Sequence, residues 1–391
     1  MVEGFHPVHS TTAINQSTRI IDPDGEVIII LRHANSPFAQ PDETMVAGMV
    51  SHTLLPKFWD VIQRPAKVFD FSTILIEEPT PEVADDPTTE ATDEEPIPAE
   101  EQPAEKPIEP ELICDPLHEN CFRIKVSAKH LIFVSPVFKN MLTGGWEESI
   151  NYLQKGSVEI PAESWDIDAL MILLQIILGQ YYVIPRQLNL ELLAKVAVLA
   201  DYYNCRETVD MLAGTWIEAL KEDVPTTYCR DLILWLWVSW YFRLPSQLKK
   251  ATSTAMSCCG NGISNLGLPI PGYIITSMNV GRDEAIDKLV GQLHDTCNTL
   301  LSGDQRCNFT CSSAMYGALT KQMHVNALLS PRPVAPFPNI TYEHLVRKIL
   351  SFESPVWYSR HSKAAHTCSS SSLRILIGEF NDYIEGLVLS F

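Results

Sequence analysis

An acidic, proline-rich segment at residues 77–111 divides the sequence into a short first part and a long second part. It contains fourteen Asp and Glu residues, one Lys, eight Pro and no aromatic residue. Such a composition buries too little apolar surface to offset the conformational entropy of folding, and its like charges favour an extended chain. We therefore predict a disordered, solvated linker here, in preference to a specific acidic docking segment.

The negative charge of the protein is concentrated in this segment, which carries −13 of the net −19. Outside it the chain is mildly acidic, and the densest basic site is the pair Lys249-Lys250. Nucleic-acid binding requires clustered cations against the phosphates. The sequence therefore argues against a nucleic-acid partner.

No stretch of the sequence resembles a membrane span or a secretory signal. The closest candidate, Leu232 to Phe242, covers eleven residues, whereas a membrane helix needs about eighteen. Residues 1–10 contain neither a basic region nor an apolar stretch. We therefore expect no membrane partner and an intracellular location, cytoplasmic or nuclear, in which the cysteines remain reduced.

The residues ahead of the acidic segment predict two strands. Arg19–Ile21 and Glu26–Leu31 are rich in β-branched residues and flank the turn sequence Asp22-Pro23-Asp24-Gly25. We predict a hairpin within residues 1–36, with its second strand buried on both faces. Residues 37–119 form an insertion, in which 68–76 could be a short strand or a partner-binding segment.

Residues 120–220 predict an α+β domain in which helices pack on a small sheet. Phe122–Val126 alternates apolar and basic residues, as a half-buried strand does. The helical spacing of apolar residues from Leu131 to Leu142 predicts one helix, which ends at Gly144-Gly145. A strand at 158–160 follows. Three further helices are expected: one capped by Ser164 and ending at Gly179, one at 189–203 and one at 206–220.

Residues 221–391 predict a mostly helical C-terminal region of unknown type. The aromatic run Trp235, Trp237 and Trp240 spans every face of a helix, which favours burial over an exposed ligand groove. Further helices are expected at 284–301, 313–329, 341–352 and 373–388.

Several short sequences between residues 120 and 220 occur in the order typical of BTB (POZ) domains. They are Ser135-Pro136-Val137-Phe138, Trp146-Glu147-Glu148-Ser149, Val158-Glu159-Ile160-Pro161 and Ala200-Asp201-Tyr202-Tyr203. Together with residues 19–36, this region resembles the divergent BTB proteins common in filamentous fungi. It differs from many members at Ser127 and Glu26, where the family often has His and Asp.

The resemblance implies a split BTB-like domain, in which the insertion separates the first strand from the second. It also implies a non-enzymatic role in protein–protein interaction, by pairing with itself or with another protein. The alternative it implies is a substrate adaptor of a cullin-based ubiquitin ligase. Such adaptors offer an apolar-x-Glu step after the first helix, and Trp146, Glu147 and Glu148 fit that form as partner-binding residues. A surface turn is the simpler interpretation of these three residues.

The sequence contains none of the common catalytic motifs. It has no glycine-rich dinucleotide or phosphate loop, no G-x-S-x-G and no H-E-x-x-H. A metal-dependent enzyme would have to use the cysteines and histidines of the C-terminal region, which have no general base near them in sequence. We therefore predict that the protein is not an enzyme.

Six cysteines and histidines in the C-terminal region form a candidate metal-binding set. They are His294, Cys297, Cys307, Cys311, His366 and Cys368. Thiolate and imidazole groups suit tetrahedral zinc, and ligands from separate segments would connect the long loops of this region. However, buried cysteines commonly act as small apolar residues. We therefore expect no cofactor, with a zinc ion as the alternative.

Overall fold

The computed structural model describes residues 17–41, 45, 121–145, 147–220, 223–303, 307–358, 365–368 and 371–388. All of them belong to one unit, which is built from the chain on both sides of the insertion. The predictions for 68–76 and for the acidic segment 77–111 lie outside the described residues.

A four-stranded mixed sheet forms one part of this unit. Its strands are β1 (Ser17–Ile20), β2 (Val27–Arg32), β3 (Phe122–Val126) and β4 (Val158–Glu163), in the order β1-β3-β2-β4. β2 runs antiparallel to β3 and parallel to β4, while β1 runs parallel to β3. Ile29 of β2 lies opposite both Ile124 and Ile160 and is buried with them.

The prediction of an N-terminal hairpin is wrong, because β3 lies between β1 and β2. The turn itself is present, since Gly25 N donates to Asp22 O at 3.1 Å. Both Ile21 N and Asp22 N donate to Lys125 O, so the turn is hydrogen-bonded to the C-terminal end of β3. A side chain on Gly25 would place Cβ 2.4 Å from Val126 O, so only glycine allows this close approach.

The described part of the chain also contains one 3-10 helix, Tyr181–Val183, and twelve α-helices. They are α1 (Ala128–Val134), α2 (Pro136–Thr143), α3 (Glu147–Lys155), α4 (Ile167–Ile177), α5 (Leu190–Tyr202), α6 (Arg206–Ala219), α7 (Arg230–Tyr241), α8 (Pro245–Cys258), α9 (Gly272–Ser302), α10 (Phe309–Val325), α11 (Tyr342–Leu350) and α12 (Leu373–Ile377). Of these, α3 and α8 were not predicted from the sequence.

The single helix predicted between Leu131 and Leu142 is two helices, α1 and α2. Proline disfavours the helical conformation of the residue before it, and Ser135 has an extended φ of −118°. The Ser135 hydroxyl caps α2 by accepting from Phe138 N, and it donates to Tyr203 O at 2.5 Å. The Ser-Pro step therefore starts a new helix and attaches it to the end of α5.

Other predicted helix bounds also differ from the structure, and α10 begins and ends four residues earlier than the predicted 313–329. α4, which was predicted to be capped by Ser164, is capped by Asp166 instead. The Asp166 carboxylate accepts from two N–H groups of the first turn. α9 begins at Gly272 rather than at residue 284. The helix predicted at 373–388 ends at Ile377, where Gly378 has a φ of +93°.

The helices and the sheet form two apolar cores. The first contains the sheet, α1 to α8 and the start of α9, and the second contains the rest of α9 with α10, α11 and α12. Trp235 and Trp237 are buried in the first core, and Trp240 packs against it, which confirms the predicted burial of the aromatic run. The first core therefore continues past residue 220, and the long helix α9 belongs to both cores.

Arg282 lies on α9 between the two cores and is 1% exposed. Its guanidinium is paired with Asp283 at 2.6 Å. It also donates hydrogen bonds to the backbone oxygens of Cys259, Gly260, Pro336, Phe337 and Ile340. One buried cation thus connects the loop after α8 to the loop before α11.

Two findings concern membranes and the state of the cysteines. No helix in the described ranges combines the length and apolarity needed to cross a membrane. Eight cysteines are free thiols, as expected from the sequence. Cys121, however, is disulfide-bonded, so the expectation that every cysteine stays reduced is wrong at that position.

Candidate functional site

Four of the six predicted metal ligands meet beside the N-terminus of α10. The ligand atoms of Cys307, Cys311, His366 and Cys368 all lie within 4.8 Å of one another. Cys307 Sγ is 3.3 Å from His366 Nε2, and Cys311 Sγ is 3.7 Å from Cys368 Sγ. Within the described ranges, no other group of three or more Cys, His, Asp and Glu side chains has this geometry.

The start of α10 positions the first pair of ligands. Asn308 caps the helix, and its side-chain oxygen accepts from Cys311 N at 2.9 Å. Cys307 directly precedes this cap and Cys311 lies in the first turn, so both thiols are at the same end of the helix. Cys311 is 1% exposed and belongs to the second core, while Cys307 is half-buried.

His366 is held in place by the backbone and ring of Trp357. His366 N donates to Trp357 O at 2.8 Å, and the imidazole stacks on the indole with 4.8 Å between ring centroids. The neighbouring residues Tyr358 and Ala365 form an antiparallel bridge. These contacts fix the imidazole so that its Nε2 faces Cys307.

Cys368 follows His366 at a spacing of two, and both side chains reach the cluster. A tight turn with Ser371, on the C-terminal side, holds the backbone of Cys368 in place. The Ser371 hydroxyl accepts from Cys368 N at 3.0 Å and donates to Cys368 O at 2.7 Å. Each ligand of the cluster therefore has an independent local support.

The structure does not bring His294 and Cys297 to this cluster. His294 Nε2 lies 2.9 Å from Leu328 O, and Cys297 Sγ lies 3.4 Å from Met323 Sδ inside the second core. Burial raises the pKa of the Cys297 thiol to about 11. Cys297 thus acts as a small apolar residue of the core, and the predicted set of six divides into a cluster of four and two separate residues.

The cluster offers three sulfur atoms and one imidazole nitrogen. Burial, together with hydrogen bonds to Cys368 and Cys307, raises the pKa of the Cys311 thiol to about 12. Without a cation this thiol therefore stays protonated at neutral pH. A donor set of this composition suits borderline-soft divalent metals, whereas Mg²⁺ and Ca²⁺ require oxygen ligands.

The predicted partner-binding residues lead into helix α3. Trp146 lies outside the described residues, Glu147 is the first residue of α3, and Glu148 is half-buried. The simpler interpretation, a surface turn, is therefore incomplete, because a helix of nine residues follows Gly145. The buried hydroxyl of Ser149 accepts from Gly145 N at 3.0 Å and fixes the start of this helix.

Helix α3 presents apolar side chains to solvent. Tyr152 packs against the first core, while Ile150 is 48% exposed and Leu153 is 75% exposed. Residues three apart in a helix share a face, so these two aliphatic side chains form one exposed apolar stripe. Sequence reasoning missed this stripe, although the apolar spacing of residues 150–153 was a signal for a helix.

An open groove of about 640 Å³ lies between α8 and α11. Lys250 and Arg347 line it together with Glu343 and Asp382, and Tyr383 forms part of its wall. Because both signs of charge are present, the lining does not indicate one class of small-molecule ligand.

No protein-family model matches this sequence, and no curated protein is significantly similar to it. The interpretation of the two sites therefore rests on their geometry.

Proposed function

We propose that this chain is a non-enzymatic protein–protein interaction module with a BTB-like domain, and that it binds its partner through the exposed face of α3. The observation that carries this proposal is the solvent-facing pair Ile150 and Leu153, next to the sequence Trp146-Glu147-Glu148.

The order of the elements supports a BTB-like domain. After β1 the chain runs through two strands, the helices α1 to α3, a strand and the three helices α4 to α6. Apart from the break between α1 and α2 and the additional helix α3, this order agrees with the one predicted from the sequence. The Glu26 carboxylate accepts from Ala128 N at 3.0 Å, so a residue ahead of the insertion caps a helix behind it. The two sides of the insertion thus contribute to one fold.

The position of α3 suits a contact with another protein. Among elements, it packs on α2 and β4, which leaves the stripe of Ile150 and Leu153 facing outward. Burying an aliphatic side chain of this size contributes roughly 1.5–3 kcal/mol. The partner surface that fits is an apolar groove.

The alternative function is a substrate adaptor of a cullin-based ubiquitin ligase. It is favoured by one observation: the apolar-x-Glu step at 146–148 runs directly into the exposed stripe of α3. Apolar side chains exposed on one face of a helix are a common way for a helix to bind in a groove. In this case a cullin would be the protein that contacts α3.

The test uses the purified full-length chain and a double variant, Ile150→Asp with Leu153→Asp. Self-association is measured by sedimentation velocity, and binding to a purified cullin by titration calorimetry. We expect the variant to weaken at least one of these interactions tenfold or more, about 1.4 kcal/mol, with an unchanged melting temperature. Loss of self-association supports the favoured function, whereas loss of cullin binding supports the adaptor.

Met211→Asp provides the matched control, because Met211 is 73% exposed on α6 and lies outside the stripe. It adds one negative charge, against two in the double variant, at another exposed apolar position and should leave both interactions unchanged. If the double variant binds as the unmodified chain does in both measurements, α3 is not the contact surface and the proposal fails.

A further inference from the structure

We infer that Cys307, Cys311, His366 and Cys368 bind one zinc ion, and that this ion anchors the C-terminal segment 365–388 on the helical cores. The inference is independent of the proposed function, because the cluster is built from residues of the second core.

The distances within the cluster match the edges of a tetrahedral zinc site. Zinc–sulfur bonds of about 2.3 Å and zinc–nitrogen bonds of about 2.0–2.1 Å place two sulfur ligands about 3.8 Å apart, and sulfur and nitrogen about 3.6 Å apart. The structure has 3.7 Å between Cys311 Sγ and Cys368 Sγ and 3.3 Å between Cys307 Sγ and His366 Nε2. The longest separation is 4.8 Å, so a side-chain adjustment of about 1 Å closes the tetrahedron around the ion.

The donor set and its burial identify the metal and its role. Three thiolates and one imidazole form a Cys₃His set, one of the ligand combinations of structural zinc sites. Four protein ligands fill a tetrahedral coordination sphere and leave no position for a water molecule or a substrate. Cys311 is buried and the other three ligands are half-buried. The ion therefore stabilises the fold and does not perform catalysis.

The zinc ion connects parts of the chain that regular structure leaves unconnected. Residues 351–372 join α11 to α12, and in their described part they contain one isolated bridge and no helix or strand. Connections of this length without regular structure are uncommon inside a compact domain. His366 and Cys368 are two fixed points on this connection, and zinc would join both to the start of α10.

The segment that leaves the cluster continues across both cores. After α12 its residues lie along α8, where Ser253 Oγ donates to Ile384 O at 2.6 Å and Ile384 N donates to Ser257 Oγ at 2.8 Å. A Cβ on Gly386 would lie 1.8 Å from Lys249 O, so the backbone is in direct contact with this helix. Ile384 packs against both apolar cores. Zinc thus holds one end of a segment whose other end is bound to α8.

The experiment begins with the full-length chain purified under reducing conditions without added metal. Elemental analysis should find about one zinc per chain. Cys311→Ser and Cys368→Ser should each reduce the zinc content more than tenfold. His366→Cys should retain zinc, because four cysteines also form a zinc site. Cys297→Ser is the matched control, since it removes a buried thiol of the same core outside the cluster and should retain zinc.

Two further measurements separate metal binding from a general loss of fold. Cobalt added to chelator-treated protein should give the visible absorption of a tetrahedral cobalt–thiolate site, and zinc should abolish it. Hydrogen exchange at 307–325, 365–377 and 381–388 should become at least tenfold faster after chelation. Exchange in α1 to α6 should not change, because these helices belong to the first core.

Three results would overturn the inference. The first is folded, zinc-free protein whose melting curve a strong chelator leaves unchanged. The second is zinc that remains bound in Cys368→Ser at the level of the unmodified chain. The third is a different metal, such as iron, that copurifies with the chain and is lost in both serine variants. Because the first test needs no variant, a serine variant that fails to fold leaves the inference testable.

Discussion

Replacing Arg282 by methionine should remove a large part of the stability of the protein. The side chain is 1% exposed and is hydrogen-bonded to five backbone oxygens in the loops after α8 and before α11. An unsatisfied buried carbonyl costs about 1–3 kcal/mol, so five of them at the lower end cost about 5 kcal/mol. Methionine offsets part of this, because the folded protein no longer buries a charge.

We therefore expect Arg282→Met to lower the free energy of unfolding by about 3–5 kcal/mol, a large fraction of the usual 5–15 kcal/mol. Arg282→Lys keeps the charge, but a single ammonium group reaches fewer of the five oxygens. The free energy of unfolding that Arg282→Lys loses should be roughly half of the loss in Arg282→Met. Urea denaturation followed by circular dichroism measures both values.

Arg347→Met is the matched control. Arg347 lies on α11 with its side chain 69% exposed, and its partner is Glu343 one turn away. Exposed ion pairs contribute about 0–1 kcal/mol, so this variant should unfold close to the unmodified chain. An Arg282→Met protein that loses no more stability than the control would refute the role assigned to the buried guanidinium.

Three further predictions concern the N-terminal turn, the insertion and the pH dependence of stability. Gly25→Ala should cost about 1–3 kcal/mol, because the new Cβ would lie 2.4 Å from Val126 O; a thermal melt within a degree of the unmodified chain would contradict this. Replacing 77–111 by a short Gly/Ser linker should change stability by about 1 kcal/mol or less, since loop-closure entropy varies slowly with length; aggregation would show that the segment packs on the fold. Burial raises the pKa of Asp166, but hydrogen bonds from Lys195 and the backbone outweigh it and hold the pKa below its ordinary 3.8. The stability this carboxylate contributes is thus complete above that value and is lost as pH falls through the lower folded-state pKa. Lys195→Met should reduce this acid-dependent loss in urea denaturation at pH 2–7, and an unchanged pH profile would exclude the pair as its source.

The turn and the strands at the N-terminus show how far local sequence determines the fold. Asp22-Pro23-Asp24-Gly25 predicts a turn, and the turn is present. Its pairing partner was not predictable, because β3 lies beyond the insertion and both edges of β3 are paired. Likewise, the Ser135-Pro136 step was visible in the sequence, but a continuous apolar spacing concealed the break between α1 and α2.

In the metal cluster, too, the local spacing of the ligands could be read from the sequence, whereas their meeting in space could not. Cys307 and Cys311 are close in sequence, as are His366 and Cys368, and each pair contributes two ligand atoms to the cluster. That these two segments meet depends on how α10 packs in the second core, and no local pattern encodes this. His294 and Cys297 were equally good candidates by residue type, and only their packing separates them from the cluster.

The C-terminal segment illustrates why apolar spacing alone can mislead. A helix was predicted at 373–388 from the sequence, but α12 ends at Ile377. The residues that follow bind to α8 through their backbone, and Gly386 permits the close contact. Tertiary hydrogen bonds to serine and threonine hydroxyl groups thus replace the helical ones.

The most direct test of the proposed function is a hydrogen-exchange comparison of the free chain with the chain bound to its partner, either a second copy or a cullin. The proposal predicts slower exchange in α3, residues 147–155, on binding, because the partner covers the stripe of Ile150 and Leu153. Exchange in α6, which carries the control position Met211, should not change. Protection confined to other surfaces, with α3 exchanging as in the free chain, would contradict the proposal.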